Sequence, residues 1–202
     1  MISIKDISIT RTGRFVIEGF SAELKPGTIT AVIGPNGCGK SSLLAAIAGD
    51  LSLSSGEMMI NGSEISSISL SDLARIRSVV MQSRNYWLSY TVREIVAMGQ
   101  DSDAISRIAE VFTSLEMSDL ADRVVTTLSG GEAQRVEIAR ALIRNSEIYL
   151  LDEPLSAQDS ASRIRAIELF KKLRSQGKIV LIVTHSDENA LDWCDQIFDL
   201  GA

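Results

Sequence analysis

Several short stretches of this chain carry residue types and spacings suited to handling a phosphate group. Gly34-Pro35-Asn36-Gly37-Cys38-Gly39-Lys40-Ser41 fills every position of the pattern G-x-x-x-x-G-K-[ST], and Ser42 follows directly. Glycines there let successive backbone N–H groups turn onto phosphate oxygens, Lys40 adds a point charge, and Ser41 offers a hydroxyl to Mg²⁺. Asp152 and Glu153 follow the apolar run Ile148-Tyr149-Leu150-Leu151. An aspartate so placed suits a Mg²⁺-associated acid, and the next carboxylate suits a general base for an attacking water. His185, the single histidine, ends the run Ile179 to Val183 after Thr184, and Gln82 ends Ser78 to Met81. At a strand end, His185 is placed to contact a terminal phosphate or the water.

Each of these has a plainer alternative. The loop is a chance glycine-rich turn, Asp152-Glu153 a solvated loop, and His185 an incidental residue. Context decides against the first two. Thr28 to Ile33 is a β-branched run fit for a buried strand, and Ser42 to Ala48 is a strong helix former, so the loop joins a strand to a helix. A helix starting there aims its unpaired N–H groups and the positive end of its dipole at an anion. Open α/β sheets gather ligands at strand ends, which is where Gln82, Asp152-Glu153 and His185 fall.

The remaining elements follow from periodicity. Residues 2 to 9 and Phe15 to Leu24 alternate apolar and polar residues, the pattern of antiparallel strands, and Glu57 to Ile60 is a short strand between turns. Ser71 to Ile76 is helical in character. From Asn85 to Leu128 the spacing is helical, with Val92, Ile95 and Val96, then Ile105, Ile108, Ala109, Phe112 and Leu115. At its entrance Tyr86, Trp87 and Tyr90 either face a partner or pack the segment onto the core. Ser129 with Glu132 three residues on is a capping box for a helix to about Arg144. Arg163 to Gln176 reads as an amphipathic helix with Ile164, Ile167, Phe170 and Leu173 inward.

Composition narrows the classes. The chain has 202 residues, 45% hydrophobic and 23% charged, with three prolines, enough to bury one full core. A net charge of −6 argues against nucleic acid as a partner. No run approaches the roughly 18 to 20 apolar residues of a membrane span. Cys38 and Cys194 are distant, and a bridge at Cys38 would obstruct the loop, so both read as free thiols of a reducing compartment. A single histidine and no Cys/His cluster exclude a multi-histidine metal centre.

In order and content, the phosphate loop, Gln82, Leu128-Ser129-Gly130-Gly131-Glu132, Ile148 to Glu153, Ser156-Ala157-Gln158-Asp159 and His185 resemble the ATP-binding subunit of an ABC transporter. The likeness covers nearly the whole chain, and the Ser-Gly-Gly segment is its most discriminating part. It implies an α/β phosphate-loop NTPase core with a mixed, mainly parallel sheet, an N-terminal antiparallel β subdomain and a helical insert. The whole is one domain over 1–202. Residues 1–84 hold the antiparallel part and the first part of the ATPase core, 85–128 the insert, and 129–202 the signature helix and the rest of the core.

The resemblance further implies an ATPase whose ATP and Mg²⁺ are held between two copies arranged head to tail. The phosphate loop of one copy, Gly34 to Ser42, would face Ser129, Gly130, Gly131 and Glu132 of the other, which is a second copy or a paralogous subunit. By the same likeness Ser41, Gln82 and Asp152 serve Mg²⁺, Glu153 is the base, His185 contacts the γ-phosphate, and Asp159 acts across the dimer. Where the family places an aromatic to stack on adenine, this chain has Arg11, with Phe15 nearby; a stacked arginine, Phe15 or neither are the alternatives. Glu132 replaces the commoner glutamine, and Gln158 the commoner leucine. Integral membrane permease subunits would hold the protein on the cytoplasmic inner face of the cell membrane. Tyr90 to Gly99 resembles the start of the insert in bacterial importers of metal chelates, vitamin B12 and metal ions. The alternatives are a non-transport ABC-type clamp, an ABC exporter subunit and a small-molecule kinase. Neither sustained heptads nor an internal duplication supports the clamp.

Overall fold

The computed structural model describes residues 1–81, 86–87, 89–185 and 190–201. In chain order these form β1 (Ile2–Arg11), β2 (Arg14–Leu24), β3 (Thr28–Ile33), α1 (Lys40–Ile47), β4 (Ser55–Ile60), β5 (Ser63–Glu64), α2 (Leu70–Ile76) and β6 (Arg77–Val80). Then come α3 (Val92–Ala97), α4 (Ser102–Ser106), α5 (Ile108–Ser114), α6 (Gly130–Ile143), β7 (Ile148–Asp152), α7 (Ser160–Ser175), β8 (Ile179–Val183) and β9 (Gln196–Asp199).

Antiparallel and parallel pairing are segregated into two sheets. The first has the order β2-β1-β4-β5 and is antiparallel throughout. The second has the order β6-β7-β8-β3-β9 and is parallel throughout. Its central strands are apolar on both faces, and every residue of β7 and β8 is buried, as a sheet covered on both sides requires. The period of two then divides them. Ile148 and Leu150 join Ile179, Leu181, α1 and the antiparallel sheet in one core cluster, while Tyr149, Leu151, Val180 and Ile182 pack beneath α6, α7 and the insert in another.

Two helical faces differ from their periodicity. In α7 the buried residues are Ser162, Ala166, Phe170 and Leu173, while Ile164 is 62% exposed. The helix begins at Ser160, and Ile164 stands two residues, about 200° of turn, from both Ser162 and Ala166. Phe170, stacked on Trp193, sets the inward face. In the insert Ala104, Ile108, Phe112 and Leu115 form the buried stripe, which leaves Ile105 and Ala109 exposed beside it; α4 gives way to α5 at Arg107. Among the described residues no helix is long and apolar enough to cross a membrane.

Candidate nucleotide site

The phosphate loop leaves the C-terminal end of β3 and enters α1 at Lys40, with Gly39 as N-cap in the left-handed region at φ +103°. A Cβ on Gly39 would lie 2.4 Å from the Val16 carbonyl oxygen, so both the turn and the neighbouring strand demand glycine here. Lys40 is buried, and its Nζ donates to the carbonyl oxygens of Gly34 (2.7 Å) and Pro35 (3.0 Å), holding the loop in a crescent. A cavity of about 260 Å³ opens over it, lined by Asn36, Gly37, Gly39 to Ser42, Val16, Asp152 and Glu153.

β7 delivers the two carboxylates. Asp152 is buried, and burial is the main cause that pushes its carboxyl above the usual aspartate range; the Ser41 hydroxyl opposes this, Glu153 adds to it, and Lys40 opposes it. Glu153 has φ +50° although it is not a glycine, a conformation that costs about 1–2 kcal/mol. Several contacts force it. Its N–H donates to the Val183 carbonyl (2.9 Å), continuing the β7–β8 ladder by one bond. Its own carbonyl accepts from the Gln134 side-chain amide, from Ser156 N–H (3.3 Å) and from Ser156 Oγ (3.0 Å). The result is a buried carboxylate side chain that lines the phosphate-loop cavity. It meets His185 Nδ1 at 2.7 Å and the Thr184 hydroxyl at 3.4 Å. The His185 side chain is largely exposed.

At the start of α6 the Ser129 hydroxyl accepts from Glu132 N–H (3.3 Å), and the Glu132 carboxylate accepts from Ser129 N–H (2.7 Å), completing the capping box. The Ser129 backbone, then its hydroxyl, hold the Glu132 carboxyl below the usual glutamate range, and Arg123 adds a smaller pull. A Cβ on Gly131 would sit 2.6 Å from the Ala157 carbonyl oxygen, so this helix start presses on the 156–159 loop. Asp159 caps α7 by accepting from Ser162 N–H (2.8 Å), which lowers its pKa. Ser129 to Glu132 and Asp159 do not line the phosphate-loop cavity. Gln82 lies outside the described residues. Arg11 and Phe15 are exposed near the β1–β2 turn and do not line the cavity, whereas Val16 does.

Gln134 belongs to none of the sequence motifs. It is buried, donates to the Glu153 carbonyl, and accepts from Ala157 N–H (3.2 Å), so one amide ties α6 to both the acidic turn and the following loop. Its signal was a long polar side chain i, i+4 from Ile138, on a helix stripe that should be apolar.

Ser41 and Asp152 offer oxygen donors, the preference of Mg²⁺. Among the described residues no group of three or more His, Cys, Asp or Glu could form an all-protein metal cage. That donor set fits a hard cation completed by water and phosphate, and the burial-strained Asp152 would gain from a positive neighbour.

Comparison with known proteins points to one family. Residues 17–156 match the family model described as ABC transporter. The chain is 37% identical over its whole length to the hemin import ATP-binding protein HmuV of Rhizobium meliloti, covering 82% of that protein. It is 30% identical to the petrobactin import ATP-binding protein YclP of Bacillus subtilis, over 99% of this chain and 83% of that one. Its fold superposes with a TM-score of 0.87 and 28% identity on the dimeric, post-hydrolysis ATP-binding cassette MJ0796 bound to ADP and Pi, covering all of this chain and 94% of that one.

Proposed function

The chain belongs to the ABC transporter family as an ATP-hydrolysing subunit, and we propose that it drives a bacterial importer of metal, siderophore or cobalamin type. ATP and Mg²⁺ would be bound between two copies arranged head to tail. The observation that carries this reading is a site split within one chain. Lys40, Ser41, Asp152 and Glu153 share a cavity, while the capped helix start at Ser129 to Gly131 does not line it. A second copy supplies that second anion-binding helix start.

The residues then divide the work. Lys40 and the loop amides from Gly34 to Ser42 bind the phosphates. Ser41 and Asp152, with Gln82, are the residues that would hold Mg²⁺, which when bound neutralises phosphate charge. Glu153 Oε accepts a proton from the attacking water as that water's oxygen bonds phosphorus and the bond to the leaving ADP oxygen breaks. His185 orients the carboxylate through Nδ1 and keeps Nε2 for the γ-phosphate. Ser129 to Glu132 and Asp159 of the partner copy close the site.

Permease subunits fit a surface beside the insert. Tyr86 packs onto the core, but Trp87 is 85% exposed. Arg77, Arg140 and Arg144, with Glu137, line a groove of about 200 Å³ between α2, β6 and α6. A polar groove of that kind suits a polar helix end of a membrane partner. Purification of the tagged subunit from native membranes tests the transport reading: a many-spanning protein should co-purify in stoichiometric amount, and recovery of soluble proteins alone would sink it.

A further inference from the structure

Strand β8 is apolar and buried at every position from Ile179 to Val183, and the first residue past it is Thr184, itself buried. Valine has nearly the same shape and would continue the apolar run. A hydroxyl in its place costs stability unless a hydrogen bond compensates it. Thr184 Oγ1 donates to Glu153 Oε2 at 3.4 Å, in the interior of the protein.

That contact divides the Glu153 carboxylate between two neighbours. His185 Nδ1 meets Oε1 at 2.7 Å and Thr184 meets Oε2, so each oxygen is held by a different residue. The terminal torsion of a glutamate is broad, and a single contact leaves the carboxylate plane free to turn about it. Two contacts on opposite oxygens fix that plane. They occupy two of about four lone-pair sites, so acceptor capacity remains for a proton. The two holders also differ, because the His185 side chain is largely exposed whereas Thr184 is buried.

The backbone of Thr184 is fixed as firmly as its side chain. Its N–H donates to the Val32 carbonyl at 3.0 Å, which carries the parallel β3–β8 pairing one residue past Val183. Strand β3 ends at Ile33, and the phosphate loop starts at Gly34. On the other side, Glu153 N–H donates to the Val183 carbonyl. Thr184 therefore stands between the strand that leads into the phosphate loop and the strand that delivers Glu153, and a group held on rigid strands orients its neighbour closely.

We infer that Thr184 is a positioning residue for hydrolysis: its hydroxyl holds Glu153 Oε2 so that the carboxylate stays aimed at the water in the phosphate-loop cavity. The inference rests on the reading of Glu153 as general base.

ATP hydrolysis and ATP binding by the full chain test this in Thr184→Val, Thr184→Ser and Glu153→Gln. Thr184→Val keeps the shape and removes the donor; kcat should fall about tenfold while the ATP dissociation constant stays near that of wild type. Thr184→Ser keeps the hydroxyl and should recover most of kcat. Because Thr184 acts through Glu153, adding Thr184→Val to Glu153→Gln should cost no further turnover. Undiminished kcat in Thr184→Val, an equal loss in Thr184→Ser, a parallel loss of ATP affinity, or a further drop in the double variant overturns the inference. Where Thr184→Val does not fold, Thr184→Ala is read against the same outcomes. Full turnover in Glu153→Gln overturns the reading of the base and the inference with it, whereas loss there beside a normal Thr184→Val overturns the inference alone.

Discussion

His185 Nδ1 lies 2.7 Å from Glu153 Oε1, so the chain's one histidine grips the carboxylate that faces the phosphate loop. The pair spans the ends of adjacent parallel strands, β7 and β8, and Glu153 N–H bonds back to Val183. The carboxylate is therefore located from both ends, by its backbone and by its side chain.

Glu153→Gln keeps the size of the side chain and removes its basicity. Turnover should fall about 10²- to 10⁴-fold. ATP binding should survive, and light scattering should detect an ATP-dependent dimer. Unchanged hydrolysis would remove Glu153 from its role.

Lys40→Ala takes away the buried ammonium that ties together the Gly34 and Pro35 carbonyls and faces the cavity. Here the nucleotide affinity itself should drop, by about tenfold or more for loss of a charged contact. Fluorescent-nucleotide titration reads this directly, and tight ATP binding by the variant contradicts the loop assignment.

Gln134→Leu leaves the Glu153 carbonyl and the Ala157 amide without their shared partner. Loss of a buried hydrogen bond costs about 1–3 kcal/mol. We expect kcat to fall several-fold or more while the ATP dissociation constant stays near that of wild type. An equal loss in both would mean simple unfolding of the region, which a melting curve distinguishes.

Asp152→Asn probes the buried acid by pH. Because the folded-state pKa of Asp152 is raised, its contribution to stability is fully present below the ordinary aspartate pKa, about 3.9, and is lost as pH rises through the folded value. Above that range the buried carboxyl therefore costs the nucleotide-free fold some stability. The asparagine variant should melt higher than wild type there, lose that advantage below about pH 4, and hydrolyse almost no ATP. A lower melting temperature at neutral pH would reject the burial argument.

Much of this was legible from residues alone. The phosphate loop, the buried strand before Asp152 and the Ser129–Glu132 box each depend on local chemistry, and local chemistry is written in neighbouring residues. What escaped depends on tertiary contact. Ile164 falls on the outer side of α7 because Phe170 and Ala166 set its facing against the sheet, and no window of sequence contains that sheet. The insert breaks at Arg107, whose Nε is taken by Ile143 on another helix. The hydrogen bonds of Gln134 join positions 19 and 23 residues away, so its importance showed only as a polar residue out of place.

Gln134 also has a consequence for how two ATP molecules are spent. In the proposed head-to-tail pair, the Ser129 to Gly131 segment of a copy serves its partner's nucleotide, whereas Glu153 serves its own. In that pair one side-chain amide would link the two active sites through a single protein chain. Hydrolysis should accordingly be cooperative, with a Hill coefficient for ATP above one that falls toward one when Gln134 is replaced.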